Sequence, residues 1–268
     1  MKPLPPPPAP RSLPADGRPL ILLCNDDGFF REEIRILHRR LRSLGRTVIV
    51  APDRERSAAS LAVTLRQPLR LQRHTPSIWS VDGTPADCLY FALRKILPRR
   101  PDLLISGMNP GPNLGQQDVH YSGTVAAAVQ ALFLGLPAIA VSMIPDARGR
   151  FHLGFAASVV REIAGRILAD GLPTGLALNI NIPAPPVRGI KITKLGWKYY
   201  DPEIIEKCDP RGNAYYWIGT GHPSHIGDRD SDVKAVDAGW ISITPIHTDV
   251  TAHETRRSRR IRTLARPL

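Results

Sequence analysis

Only three cysteines, Cys24, Cys88 and Cys208, occur in these 268 residues; they are odd in number, lie far apart and form no CxxC pair. A disulfide framework is therefore not expected, and reduced thiols point to the cytoplasm. No apolar run reaches the length of a membrane span, and the first residues lack the apolar stretch of a secretory signal. A soluble, unexported protein with no membrane partner is the expectation. No GxGxxG follows the first strand-like segment, which excludes a dinucleotide-dependent oxidoreductase. Aromatic and basic residues do not interleave as in a dedicated single-strand binder, and no internal repeat is visible.

What the chain does have is positive charge, proline and length. A net charge of +12 favours anionic partners without choosing among nucleotides, polyphosphate and nucleic acid. Much of the excess sits in Arg256-Arg257-Ser258-Arg259-Arg260-Ile261-Arg262, outside any apolar periodicity, which reads as a solvated tail over residues 256–268. Residues 1–19, with Pro5-Pro6-Pro7-Pro8, disfavour helix and sheet and read as a flexible leader. The remaining length is ample for one large α/β core with an extension.

From Pro19 onward strand and helix signals alternate: strands over residues 20–24, 47–51, 103–106 and 138–142, and helices over residues 32–44, 87–97 and 124–134. Short strands are expected at residues 69–72 and 78–81. This βαβ rhythm predicts an α/β fold, a Rossmann-like, doubly wound, mostly parallel sheet, with a metal- and phosphate-binding core over residues 20–145. Residues 146–255 form the second part: a helix over 151–169, a strand over 176–182, then segments rich in Gly, Pro and aromatics, and a returning strand over 240–245. Trp197-Lys198-Tyr199-Tyr200 and Tyr215-Tyr216-Trp217 read as projecting hairpins that either pair with another subunit or fold back on their own domain.

Chemistry concentrates where strands end. The run Ile21-Leu22-Leu23-Cys24-Asn25 stops on Asp26-Asp27-Gly28. Adjacent carboxylates at the carboxyl end of a parallel strand face a ligand crevice, and a divalent cation is the simplest relief of their repulsion. A solvated Asp-Asp-Gly turn is the competing reading. The second strand leads to Pro52-Asp53-Arg54-Glu55-Arg56-Ser57, whose serine completes a metal shell or caps a helix. Next comes Gly107-Met108-Asn109-Pro110-Gly111-Pro112-Asn113-Leu114-Gly115, read as a long loop whose glycines let backbone approach a ligand and whose Asn109 supplies a carbonyl oxygen or an amide donor. Tyr121-Ser122-Gly123-Thr124 opens a helix, where hydroxyls and free N–H groups make either a phosphate cradle or an ordinary cap. Among the histidines, His120 lies nearest this turn and is a candidate substrate contact, whereas His222, His225, His247 and His253 carry no such signal.

Five motifs in order, Asn25-Asp26-Asp27-Gly28, Ala51 through Ser57, Gly83-Thr84-Pro85-Ala86-Asp87-Cys88, Ser106-Gly107-Met108-Asn109 and Tyr121-Ser122-Gly123-Thr124-Val125, closely resemble the SurE family of metal-dependent nucleoside monophosphate phosphatases. The resemblance is strong over residues 20–145 and resumes at Ser231-Asp232 and at residues 239–245. It implies 5′-nucleotidase hydrolysis, with 3′-nucleotide or short polyphosphate activity in addition, and one divalent ion per subunit held by Asp26, Asp27, Ser57 and Asn109. It also implies a homodimer or homotetramer with exchanged C-terminal segments, and a structural or site-organising role for Asp232. Phosphate and substrate contacts are expected from Asn25, Asn113, Ser122, Gly123, Thr124 and His120. Two departures from the family pattern stand out: the bulky, charged Phe29-Phe30-Arg31-Glu32-Glu33 after the acidic pair, and a loop over residues 115–120 that is one residue longer and has Gln116 and Gln117 where an acid is frequent.

Oxygen-only ligands suit Mg²⁺ or Mn²⁺ rather than structural zinc. Such an ion polarises a phosphoryl oxygen and activates water, and the helix N-terminus holds the phosphate for in-line attack, with Asp26 or Asp27 as proton acceptor. An aspartyl-phosphate route is disfavoured, since that motif needs Asp-x-Asp and Asp27 is followed by Gly28 and Phe29. The alternative is a non-catalytic nucleotide- or nucleic-acid-binding regulator that uses the basic tail; nucleic acid is not the expected partner.

Overall fold

A computed structural model describes residues 17–251 apart from 220, 222, 223 and 227. Nearly all of the proline-rich leader, the arginine tail, His222 and His253 therefore lie outside the described residues. The elements are β1 (Leu20–Cys24), α1 (Glu32–Leu41), β2 (Arg46–Pro52), β3 (Leu71–Thr75), β4 (Ile78–Val81), α2 (Pro85–Phe91), β5 (Leu103–Pro110), α3 (Gly115–Tyr121), α4 (Gly123–Phe133) and β6 (Ala138–Met143). They continue as α5 (Leu153–Asp170), β7 (Ala177–Ile182), β8 (Ile190–Ile192), β9 (Trp197–Tyr199), β10 (Ile204–Cys208), β11 (Ala214–Ile218), β12 (Ser224–Ile226), α6 (Asp232–Asp237) and β13 (Ile241–Ile246).

Nine strands form the central sheet in the order β3-β4-β2-β1-β5-β6-β7-β13-β8. Every pairing from β4 to β7 is parallel, while β3 and β13 run antiparallel to β4 and β7. Strands buried on both faces need no alternation, and all five residues of β1 and all six of β6 are buried. Ile34, Leu37 and Leu41 of α1 recur at helical spacing and pack with Ala156, Val160 and Ile163 of α5 on one face. The other face is closed by α2 and α4, through Cys88, Leu89, Val125, Ala128 and Ala131. Thr84 caps α2 in a reciprocal box with Asp87, and Pro85 occupies the first turn.

The chain leaves β1 towards β2 on one side and returns to β5 on the other. The carboxyl ends of β1 and β5 therefore flank the point where the strand order reverses, the place where open α/β sheets bind ligands.

Several boundaries move from their sequence-based positions. The helix expected over residues 32–44 ends at Leu41, ahead of Gly45, where a Cβ would stand 2.3 Å from the Pro19 carbonyl oxygen. Residues 107–110, read as loop, extend β5, with a shift of its pairing with β6 between Ser106 and Asn109. Gly107 makes this possible: its φ is +118°, and a Cβ would lie 2.4 Å from the Val141 carbonyl oxygen. Residues 115–120, also read as loop, form most of α3, and α6 was not anticipated. The aromatic segments do form hairpin-like pairs, β10 with β11 and β9 with β12, in two small sheets separate from the main one.

Candidate active site

Asn25 fixes the turn that ends β1. Its side chain donates from Nδ2 to the Gly28 carbonyl at 3.0 Å and accepts at Oδ1 from the Gly28 amide at 3.2 Å. This clamp consumes the Asn25 amide in backbone contacts. It holds Asp26 and Asp27 at 5 % and 6 % exposure, two carboxylates almost withdrawn from water.

Asp26 is the better supported of the two. Its Oδ1 accepts from the Thr124 hydroxyl at 2.5 Å, and the Thr124 backbone N–H also donates to it. Burial pushes the Asp26 carboxyl above its ordinary range, against the pull of these Thr124 bonds. The neighbouring Gly123 is required by close approach: a Cβ there would stand 2.7 Å from Asp26 Oδ2. Asp26 is thus seated on the N-terminus of α4, an eleven-residue helix with no acidic side chain of its own in the first turn.

Asp27 is less satisfied, since its Oδ2 is buried without a hydrogen-bond partner. Burial, reinforced by the charge of Asp26, raises its pKa to about 7, while the Arg31 guanidinium opposes that rise. Arg31 was not singled out from the sequence; its position four residues beyond Asp27 is the signal that could have found it. Glu55 adds negative potential to both aspartates.

The segment after β2 reaches the same place. The Arg56 amide donates to the Asp26 carbonyl at 2.7 Å, and the Phe29 amide to the Pro52 carbonyl at 3.0 Å. Ser57 is therefore next to a residue bonded to Asp26; its exposed hydroxyl donates to Glu55 Oε1 at 2.8 Å. Farther along, Ser60 donates its hydroxyl to the His120 carbonyl at 2.8 Å, tying this loop to the end of α3. The His120 side chain itself is exposed.

Asn109 lies near the end of β5, paired with Ser142 of β6. Its Nδ2 donates to the Gly111 carbonyl at 2.8 Å, which leaves Oδ1 as the acceptor available to a ligand. Asn113 is engaged differently: its Nδ2 donates to Ser142 Oγ at 2.7 Å, its amide to Asn181 Oδ1 at 2.9 Å, and its carbonyl accepts from both Asn179 and Asn181. Ser122 caps α4, accepting from the Val125 amide at 3.1 Å. Of the three residues at that turn, Ser122 thus spends its hydroxyl on the helix and Thr124 spends its own on Asp26.

Asp232 is fully buried and accepts from the amides of Gly115, Gly196 and Val233, each at 2.8 Å. It therefore pins the start of α3, which ends at Tyr121 and passes through Ser122, the cap of both helices, into α4. Asp118 adds a second pin on α3, accepting from Lys198 Nζ at 2.6 Å with both side chains nearly buried.

Against known proteins, the family model described as "Survival protein SurE" matches residues 21–202. The chain is similar to "5'-nucleotidase SurE" of Vibrio vulnificus (strain CMCP6), 45 % identical over 247 residues, which are 90 % of this chain and 95 % of that protein. It is similar to the protein of that same name from Syntrophotalea carbinolica, 43 % identical over 232 residues, covering 87 % of this chain and 92 % of the relative. Among solved structures it is similar to the crystal structure of the SurE protein from Aquifex aeolicus, at 37 % identity and a TM-score of 0.78, with 92 % of this chain and all of that one covered. Acidic turn, β5 terminus and α4 cap thus lie within a segment matched by sequence and by fold, and the chain belongs to the SurE family.

Proposed function

We infer that this protein is a 5′-nucleotidase, a phosphomonoesterase that hydrolyses nucleoside 5′-monophosphates to nucleoside and phosphate. The relatives named 5′-nucleotidase, similar over about nine-tenths of the chain, support that activity, and the observation in this molecule that carries it is the buried pair Asp26 and Asp27 at the switch point of the sheet. Activity on 3′-nucleotides and short polyphosphate belongs to the same reading. No observation favours a non-catalytic regulator, whose basic tail lies outside the described residues.

The donor set suits a hard divalent cation, Mg²⁺ or Mn²⁺, one per subunit. Asp27 Oδ2 is buried and unpartnered, Asn109 Oδ1 is left free by its own amide contact, and the Ser57 hydroxyl retains its lone pairs. Asp26, Asp27, Ser57 and Asn109 would hold the ion. Bound there, it supplies Lewis-acid polarisation of a phosphoryl oxygen and a more acidic water.

The remaining chemistry belongs to the chain. Asp26 or Asp27 takes the proton of the attacking water; burial raises the basicity of Asp27 in the metal-free protein, and a cation held by the pair would lower it again. Asp26, fixed by Thr124, keeps the pair's geometry while charge shifts during reaction. The α4 N-terminus, headed by Gly123, turns the positive end of its dipole towards the acidic turn and the phosphate; exposed His120 meets the substrate, while Asn25, Asn113, Ser122 and Thr124, their side chains engaged by protein partners, shape the site from behind. Phe30, 48 % exposed beside Gly28, forms part of the rim and belongs to one of the two segments where this chain departs from the family pattern.

In the same reading the molecule divides into a leader (1–19), a core (20–145), a C-terminal part (146–255) and a basic tail (256–268), works in the cytoplasm, and assembles as a homodimer or homotetramer. Exposed Ile204, Ile205, Tyr216, Trp217 and Ile218 on the β10–β11 pair support assembly through this hairpin. Among the described residues no helix is long and apolar enough to cross a membrane.

The test is phosphate release from 5′- and 3′-mononucleotides, p-nitrophenyl phosphate and polyphosphate, with Mg²⁺, Mn²⁺ or EDTA, for the parent beside Asp26→Ala. Metal-dependent release from 5′-mononucleotides that vanishes in the variant is expected; no release from a folded, metal-binding protein overturns the reading.

A further inference from the structure

On the α1–α5 face of the sheet, a cleft of about 700 Å³ is lined by Ile36, Arg39, Arg40, Ser43, Gly154 and Arg161, none of them a residue of the aspartate site. Its volume is that of a small-molecule site. Three exposed guanidinium groups share this lining with no carboxylate. Two of them are held by hydroxyls: Arg40 Nη2 donates to Ser158 Oγ at 2.9 Å, and Arg161 Nε donates to Ser43 Oγ at 3.0 Å. None of the three has a salt bridge among the described residues, although Arg166, one turn beyond Arg161, pairs with Glu162. Cations gathered without a counter-charge repel one another, and an anion in the cleft relieves that repulsion.

A second feature points the same way. Gly154 lies in the first turn of α5, an eighteen-residue helix with no side-chain cap and no acid in its first turn, and the space beside Gly154 is open. The positive end of this helix dipole therefore faces the cleft that the arginines line. No aromatic ring is among the lining residues, so a nucleobase would find no stacking surface there.

We propose that the α1–α5 cleft is a second anion site, distinct from the nucleotidase site, which binds a short chain of phosphates through Arg39, Arg40, Arg161 and the α5 N-terminus. The phosphates come either from inorganic oligophosphate or from the tail of a nucleoside triphosphate. Recognition is by charge and by the spacing of guanidinium groups, and is indifferent to the base.

Calorimetric titration of the full chain with inorganic tripolyphosphate in EDTA tests this. Arg40→Ala/Arg161→Ala is expected to weaken binding at least tenfold while metal-dependent nucleotidase activity stays within twofold of the parent. Ser43→Asp, which places a carboxylate beside Arg161 and leaves every arginine present, is expected to abolish binding too. ATP and GTP are expected to bind equally to the parent and to lose affinity in both variants; if only the inorganic chain does so, oligophosphate is the ligand. Unchanged tripolyphosphate affinity in both variants overturns the proposal. So does a single-stranded oligonucleotide that binds this face tighter than tripolyphosphate and loses affinity in both variants, since the cleft would then be part of a nucleic-acid surface.

Discussion

Asp27 is a carboxylate that folding leaves poorly supported, with one oxygen buried and unpartnered and a pKa raised to about 7. A raised native pKa means the folded state holds this proton more tightly than the unfolded chain, whose carboxyl titrates near 3.8. The destabilisation is absent below that lower value, grows as pH rises, and is complete above about 7. Thermal melts of the metal-free protein should therefore show Asp27→Asn more stable than the parent at pH 8 and equal to it at pH 3.5. Divalent cation should reverse the order at pH 8, because it stabilises only the parent's carboxylate. The same variant should lose turnover by about 100-fold or more while keeping its circular dichroism spectrum, as loss of a carboxylate that holds the ion or takes the proton predicts. Gly123→Ala tests the geometry around Asp26: a Cβ 2.7 Å from Oδ2 and 2.8 Å from the Asp26 Cβ forces the whole side chain to shift, and displacement at this scale is expected to lower kcat by about 100-fold and to lower the melting temperature as well.

At the level of elements, the site depends on how firmly β1 and α3 are held. The Leu20 amide donates to Asp102 Oδ2 at 2.7 Å, and Arg99 grips both Asp102 oxygens at 2.7 and 3.0 Å while also donating to the Arg18 carbonyl. Partial burial would push the Asp102 carboxyl up, but these bonds outweigh it and hold it below its ordinary range. Removing the acid strands a guanidinium that is only 6 % exposed. Asp102→Ala should cost about 2–3 kcal/mol in denaturant unfolding, and the parent should lose part of that stability when acid protonates Asp102. The strands were legible in the sequence because continuous apolar runs such as Leu20–Cys24 and Ala138–Met143 have one buried solution. Helix α3 was not, because Gly115-Gln116-Gln117-Asp118 has neither apolar periodicity nor a capping side chain. Its order comes from afar, from Asp232, Lys198 and the Gly196 carbonyl that accepts from the Gln116 amide at 2.9 Å.

For the whole molecule, the β10–β11 pair exposes every one of its ten residues, with Tyr216 at 60 % and Trp217 at 62 % exposure. A two-stranded ribbon with both faces open is marginal in water without something to cover it. Sedimentation of the parent should give a dimer or tetramer, and Tyr216→Asp/Trp217→Asp should give monomer; a parent that sediments as monomer would refute assembly through this hairpin.

The sequence alone determined the α/β alternation and the adjacent carboxylates at the end of β1, since strand patterning, turn residues and adjacent like charges are local properties of the chain; Ser57 and Asn109 came as their proposed companions from the resemblance to the family. It also pointed to the serine and threonine at the head of α4. Only the tertiary structure decided what those hydroxyls do: Ser122 caps its own helix, and Thr124 reaches Asp26 across 98 positions of sequence. It likewise decided that Asp27 keeps a bare oxygen beside Arg31, and that Arg39, Arg40 and Arg161 face one cleft from two helices. Such contacts join residues remote in sequence; their distances and desolvation are set by packing, which no local pattern contains.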